Sequence, residues 1–298
     1  MKAENLFSGE FPIKKISLQI PEHIYVIAEI GINHNGDLEL AKQMIDVAVQ
    51  AGCDAVKFQK RTIDLVYSAS ELEKPRESPW GLTQREQKMG LEFGKEEYDQ
   101  IDVYCKTKGI EWSSSAWDLE SLHFIESYNP SFHKIASALT TNLDFVHSVA
   151  KLGRPTFMSL GMCSLEQIDK SVEIFLKENR NLILMHTVST YPSELSDLNL
   201  LLISELRERY GIPVGYSGHE SQVSPSIVAA ALGAVVIERH ITLSRASYGS
   251  DQSASLEPSG LLSLVGSLRK VSTVRGNGVK KVIESESQVA KKLRYWEA

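Results

Sequence analysis

Cysteine is scarce in this chain. Its 298 residues hold three, Cys53, Cys105 and Cys163, widely spaced and with no C-x-x-C pair. An odd count at such spacing builds no disulfide framework, and the reading is a reducing, cytoplasmic setting. Long apolar runs are missing as well. No segment approaches ~20 apolar residues, so no membrane span is expected. The stretch from Met1 to Gln19 mixes charges with short apolar runs and has no signal-peptide core. Positive charge is not in excess: the formal net charge is -6. That speaks against nucleic-acid or membrane-surface partners, although a local cationic cluster can still meet an anionic substrate. No G-x-G-x-x-G follows a strand-like run, which argues against a dinucleotide fold.

What is present is an alternation. Eight short runs rich in β-branched residues recur: 26–30, 55–59, 110–114, 132–135, 155–159, 182–186, 214–217 and 234–238. Amphipathic stretches lie between them, at 38–51, 95–108, 165–179, 199–210 and 224–232. Asp37 is placed to cap the first helix and Gly52 to stop it. Strands alternating with helices predict parallel βαβ units, and eight units predict a closed (β/α)8 TIM barrel, which typically takes ~250 residues. The expected organisation is one catalytic barrel over 24–275. An N-terminal extension over 1–23 caps its bottom as a small hairpin, and a charged C-terminal tail spans 276–298. Two further features are expected: a polar insertion over 61–94 near the functional face, and a helix over 260–273.

Barrel enzymes carry their chemistry at the C-terminal strand ends, and the polar residues of this sequence crowd there. Lys57 and Lys134 interrupt apolar strands. A buried ammonium left unpaired costs several kcal/mol, so each must meet an anion. The partners are either Glu29, Glu238 or Asp118, or a bound phosphate or carboxylate. Two lysines with several seryl hydroxyls at one mouth favour the ligand. His219 and His240 end neighbouring strands and suit a divalent metal in a weak, open site. His34 and His186 are candidates for a third ligand or for orienting substrate. Glu29, inside an apolar run, is a candidate general base, or the group that orients a water. Glu238 reads as a supporting group. Asp251 lies on the loop after the last strand, suited to polyol hydroxyls or to capping a turn.

The strand ends AEIGINHNGD, VKFQ, KIAS, MSLGM, STYP, GYSGHE, IERHIT and GSDQSASLEP, in that order from Ala28 to Pro258, resemble those of the N-acetylneuraminate (sialic acid) synthase family. The resemblance implies an enzyme that condenses phosphoenolpyruvate with an open-chain aldose, such as N-acetylmannosamine, and water. The products are a 3-deoxy-2-keto sugar acid and phosphate. It implies that Lys57, Ser115, Lys134, Ser137, Ser159 and Ser217 bind phosphoenolpyruvate. It makes Glu29 the catalytic carboxylate, with Gln59 and His240 at the reacting centre. His219 and His240 would bind a divalent metal, Mn²⁺ first, with Mg²⁺ or Co²⁺ as substitutes, and Tyr191, Ser189 and Asp251 would hold the sugar.

Three departures stand out. The family pattern K-I-x-S-x-E ends here in Leu139, and the family Asn before the Tyr-Pro pair is Ser189. Family members also usually carry a C-terminal antifreeze-like domain, and the sequence stops at Ala298, about where the linker to it would run. The expectation is therefore a member without that domain and with an altered sugar side, to which Trp80, Arg85 or Arg245 would contribute. A homodimer or higher oligomer is compatible with it. The competing expectations are a 3-deoxy-octulosonate-type synthase using another aldose or an aldose phosphate, a metal-dependent barrel hydrolase or aldolase, and a non-catalytic sugar- or phosphate-binding scaffold.

Overall fold

The computed structural model describes residue 13 and residues 22–297. Eight parallel strands close into a barrel: β1 Tyr25–Gly31, β2 Ala55–Lys60, β3 Glu111–Ala116, β4 His133–Ile135, β5 Thr156–Ser159, β6 Leu182–Thr187, β7 Val214–Gly218 and β8 Val236–His240. Each pairs with its sequence neighbours, and β8 returns to β1. The main helices are α1 Leu38–Ala51, α2 Lys95–Lys108, α3 Leu119–Glu126, α4 Leu143–Lys151, α5 Leu165–Glu178, α6 Leu202–Tyr210, α7 Ser224–Ala231 and α8 Pro258–Leu268. The expected (β/α)8 barrel is what the chain forms.

Alternation along the strands sorts the side chains, because successive residues point to opposite faces. Val26, Ala28 and Ile30 of β1, with Val56 and Phe58 of β2, join the large cluster packed against the helices. Tyr25, Ile27, Ala55, Phe132, Phe157, Ile183 and Met185 form a second, smaller cluster, the inward-facing set. The same inward parity continues upward through Glu29, Lys57, Gln59, Ser115, Lys134, Ser159, Ser217, Glu238 and His240. The barrel is thus plugged with apolar residues below and lined with polar ones above.

Local signals set the ends. Asp37 accepts from the amides of Glu39 and Leu40, and Gly52 ends α1 in the left-handed region. Ser164 and Gln167 form a capping box at the start of α5. The insertion over 61–94 is folded rather than open loop. It holds two helical turns, a two-stranded hairpin (Pro75–Ser78 with Gly81–Thr83) and the helix Gln84–Leu91. Gly90 is required where Trp80 lies against the helix, since a Cβ there would overlap the indole.

The helix expected over 260–273 starts earlier, with Pro258 in its first turn, and breaks after Leu268 before a separate turn at Val271–Arg275. The tail carries an exposed helix, Glu284–Leu293. The hairpin expected over 1–23 lies outside the described residues, save for Ile13 in the inner cluster and the bend at Glu22 and His23. Among the described residues no helix is long and apolar enough to cross a membrane.

Candidate active site

The upper barrel opens into a cavity of about 260 Å³, with a second of about 310 Å³ outside it; Gln59, Trp117 and Tyr191 line both. The floor of the inner cavity is a square of charges. Lys57 Nζ lies 2.6 Å from Glu29 Oε2 and donates to Ser115 Oγ at 2.8 Å. Lys134 Nζ lies 2.6 Å from Glu238 Oε1, which also accepts from Ser217 Oγ at 3.1 Å. Lys57 is 3.9 Å from the same Glu238 oxygen, and Gln59 Nε2 donates to Glu29 Oε1 at 3.1 Å. All four charged residues are 4% exposed or less. Strand register makes the square: Glu29 is level with Lys57 and with His240, and Ser115 with Lys134.

Burial pushes the Glu238 carboxyl up, but Lys134 and Lys57 outweigh it and hold it well below the usual carboxylate range. Burial pulls the Lys134 ammonium down, Glu238 opposes this, and Lys57 adds to it. The lysines' partners in the protein itself are therefore Glu29 and Glu238. Asp118 is not among them. It caps α3 through the Ser121 amide and accepts from Thr62. Glu238 belongs to the floor of the cavity rather than to its support.

Above the floor sit two imidazoles. His219 Nδ1 is 2.6 Å from the Val188 carbonyl oxygen, a contact that requires Nδ1–H and leaves Nε2 as a bare lone pair. Burial first, and then His240, hold the His219 pKa down to about 3. The two rings are 5.5 Å apart, and Tyr191 stacks on His219 at 4.1 Å. His240 Nδ1 is buried without a hydrogen-bond partner, 3.9 Å from Asp251 Oδ2. An orphaned nitrogen beside a bare lone pair fits a divalent cation with two imidazole ligands. Among the described residues no three His, Cys, Asp or Glu converge as a metal cluster, so water and substrate would supply the other ligands.

Neither further histidine joins them. His34 stacks on Phe93 at 3.9 Å, accepts from the Gly36 amide, and is held by burial to a pKa of about 3. The ring turns away because Gly31, at φ 57°, ends the strand alternation and swings the chain out. His186 Nε2 is bound to the Leu198 carbonyl.

Ser137, Ser159 and Ser189 line the inner cavity, and Ser137 Oγ accepts from the Gly161 amide at 3.1 Å. A Cβ on Gly161 would overlap Ser189 Oγ, so the β5 loop approaches Ser189 only as glycine. Tyr191 lines both cavities, and Asp251 lines the outer one. Leu139 does not face the site. It ends the 3₁₀ turn Ser137–Leu139 and packs against the main core, and Ala138 lines the cavity instead. The other expected sugar contacts fall elsewhere. Arg85 pairs with Asp64 and Glu73, Trp80 packs against Gly90 and Tyr248, and Arg245 binds the Ser255 and Ser221 carbonyls. Arg61, Arg76 and Lys88, on which the sequence reading was silent, line the outer cavity. Arg61 carried a signal, since it continues the inward parity of Lys57 and Gln59.

The NeuB family profile matches residues 44–280. Human N-acetylneuraminate-9-phosphate synthase is 40% identical over 272 residues, covering 90% of this chain and 76% of that protein. N,N'-diacetyllegionaminic acid synthase of Campylobacter jejuni is 33% identical, covering 88% of this chain and 80% of that protein. Among solved structures, the N-acetylneuraminic acid (sialic acid) synthetase of Leptospira borgpetersenii, in complex with citrate, superposes with a TM-score of 0.80 at 30% identity. It covers 92% of this chain and 94% of that one.

Proposed function

The chain belongs to the NeuB family, and we propose that its barrel mouth condenses phosphoenolpyruvate with an open-chain aldose. The observation that carries this reading is the buried square of Glu29, Lys57, Lys134 and Glu238 beneath His219 and His240. Two ammoniums held ready inside a cavity suit a substrate bearing two anionic groups. Lys57 and Lys134 take its carboxylate and phosphate, and the hydroxyls of Ser115, Ser137, Ser159 and Ser217 supply directional donors.

The bonding follows from the substrates. C3 of phosphoenolpyruvate attacks the aldehyde carbon, the C=O π pair moves onto the aldehyde oxygen, which takes up a proton from solvent to become a hydroxyl, and positive charge develops at C2. Water adds at C2, and the tetrahedral centre collapses with C–O cleavage to the keto acid and inorganic phosphate. Glu29, held by Lys57 and Gln59, takes the proton of the attacking water. Gln59 lies at the junction of the two cavities, where the two substrates meet. Most of the barrier lowering is positional and electrostatic. A divalent metal, Mn²⁺ first, fits the donor set of His219 and His240, and when bound it polarises the aldehyde oxygen. Tyr191, Ser189 and Asp251 hold the acceptor's hydroxyls.

Relatives named for nine-carbon acids suggest the acceptor. Three carbons come from phosphoenolpyruvate, so six come from an N-acetylmannosamine-like aldose. The human relative's product is named as a 9-phosphate and the C. jejuni relative's is not. Family membership therefore leaves the far end of the acceptor open.

The test is phosphate release from phosphoenolpyruvate. It is expected only when aldose and Mn²⁺ are both supplied, and an aldose panel that yields none overturns the reading. Glu29→Gln keeps the shape and removes the base, and is expected to lower kcat at least about a hundredfold. Unchanged turnover in that variant would take Glu29 out of the chemistry.

A further inference from the structure

The outer cavity differs from the rest of the insertion in how it treats positive charge. Elsewhere in this segment cations sit on carboxylates: Arg85 on Asp64 and Glu73, Lys74 on Glu71. Around the cavity only Arg61 does, on Glu92. Among the described residues neither Arg76 nor Lys88 has a carboxylate within 4 Å, and Lys88 Nζ instead lies 4.1 Å over the Tyr67 ring. Arg61 spreads its guanidinium over Trp117 at 4.3 Å, pairs with Glu92 at 3.5 Å and donates to Gln59 Oε1, which leaves its buried Nε without an acceptor. Burial and the two neighbouring guanidiniums push the Lys88 ammonium below its ordinary pKa. Three like charges gathered from the residue after β2, the hairpin and the helix Gln84–Leu91 repel one another, and an anion between them would relieve that.

Phosphoenolpyruvate has its own cations deeper in, and the outer cavity is the side of Tyr191 and Asp251. An acceptor with its aldehyde at Gln59 and its chain running outward would bring its last carbon among Arg61, Arg76 and Lys88. The Asp251 carboxylate suits hydroxyls along the way and disfavours a second carboxylate near it. A phosphate monoester, a compact dianion with three acceptor oxygens, matches the half-buried guanidinium of Arg61, a second guanidinium and an ammonium. We propose that Arg61, Arg76 and Lys88 form a subsite for a terminal phosphate on the acceptor, so that this enzyme condenses an aldose phosphate. The inference rests on the condensation reading above and adds to it the class of acceptor.

The experiment compares N-acetylmannosamine with its 6-phosphate at saturating phosphoenolpyruvate and Mn²⁺, alongside calorimetric binding of the 6-phosphate alone. It uses the intact chain and its Arg76→Ala and Lys88→Ala variants, both altered at side chains that are not part of the core. The ester is expected to show a KM at least about tenfold below that of the neutral sugar. Each variant is expected to shrink that ratio about tenfold and to weaken calorimetric binding equally, as for loss of one charged hydrogen bond. Equal KM values for both sugars, unmoved by the variants, would overturn the subsite and leave the condensation standing. A rise in the KM for phosphoenolpyruvate that matches the rise for the ester would assign the cations to steering and overturn it too. Inorganic phosphate displacing the ester at equal concentration would assign the cavity to the released phosphate, against the proposal. Ester binding that the variants weaken, with no condensation of any aldose, would retain the subsite and sink the reading it rests on.

Discussion

The two cavities of the barrel mouth share three side chains and solve the problem of buried charge in opposite ways. In the inner one every ammonium already has a carboxylate, and each carboxylate has a second donor from Gln59 or Ser217. In the outer one Arg76 and Lys88 line the wall without carboxylate partners. The difference follows from depth. An unpaired ammonium below 5% exposure would cost several kcal/mol, so the inner site holds its cations on internal counterions. The outer cations are partly solvated, so they can wait unpaired. On the proposed function, substrate binding at the floor would be an exchange of ion partners, and binding at the rim an addition.

The largest test of this contrast lies on the floor. Lys134→Ala leaves Glu238 buried with Lys57 3.9 Å away as its remaining cation. We expect a stability loss of about 3 kcal/mol, read from urea unfolding, together with loss of phosphoenolpyruvate binding by calorimetry. Adding Glu238→Leu should restore most of the stability and none of the binding. If the double variant bound phosphoenolpyruvate normally, the exchange picture would be wrong.

A smaller effect is expected behind the metal-binding candidates. Glu220 and Arg239 flank His219 and His240 in sequence, are fully buried, and pair at 3.0 Å. Tyr216 Oη donates to Glu220, and Arg239 donates to the Gln222 carbonyl and Ser226 Oγ. Glu220→Gln keeps the shape and loses the charge. It is expected to cost about 2 kcal/mol in urea unfolding, less than removing a floor cation, because Arg239 keeps its other acceptors. A variant as stable as the parent would show that those acceptors alone satisfy the guanidinium.

Much of the site was legible because a β-strand alternates. Glu29, Lys57, Gln59, Ser115, Lys134, Ser159, Ser217, Glu238 and His240 occupy one parity of their strands, and the barrel closes that parity inward. What was not legible depends on register or on leaving the strand. That Lys57 meets Glu29 rather than Asp118 needs the level at which β1 and β2 pair. His34 follows Gly31, where a positive φ ends the alternation. Leu139 sits in a 3₁₀ turn whose period of three rotates it toward the core while Ala138 takes the cavity. The rim was hidden for another reason. Its hairpin strands span three and four residues, too short to carry a periodic signal, and Arg76 and Lys88 become neighbours only once they fold.

The smallest expected effect sharpens the contrast on the rim itself. Arg85 belongs to the same helix as Lys88 and was, on sequence, the more obvious sugar contact. It faces outward, 2.5 Å from Asp64 and 3.4 Å from Glu73, and those side chains hold its pKa above the ordinary value. Its charge is already spent on exposed partners, and such pairs contribute little to stability. Arg85→Ala should leave the KM for a phosphorylated acceptor within twofold of the parent, where Lys88→Ala raises it about tenfold. If the two variants weakened the acceptor equally, what matters on the rim would be the summed positive field of the insertion rather than which cations line the cavity. The local, unpaired character of Arg76 and Lys88 would then not account for selectivity.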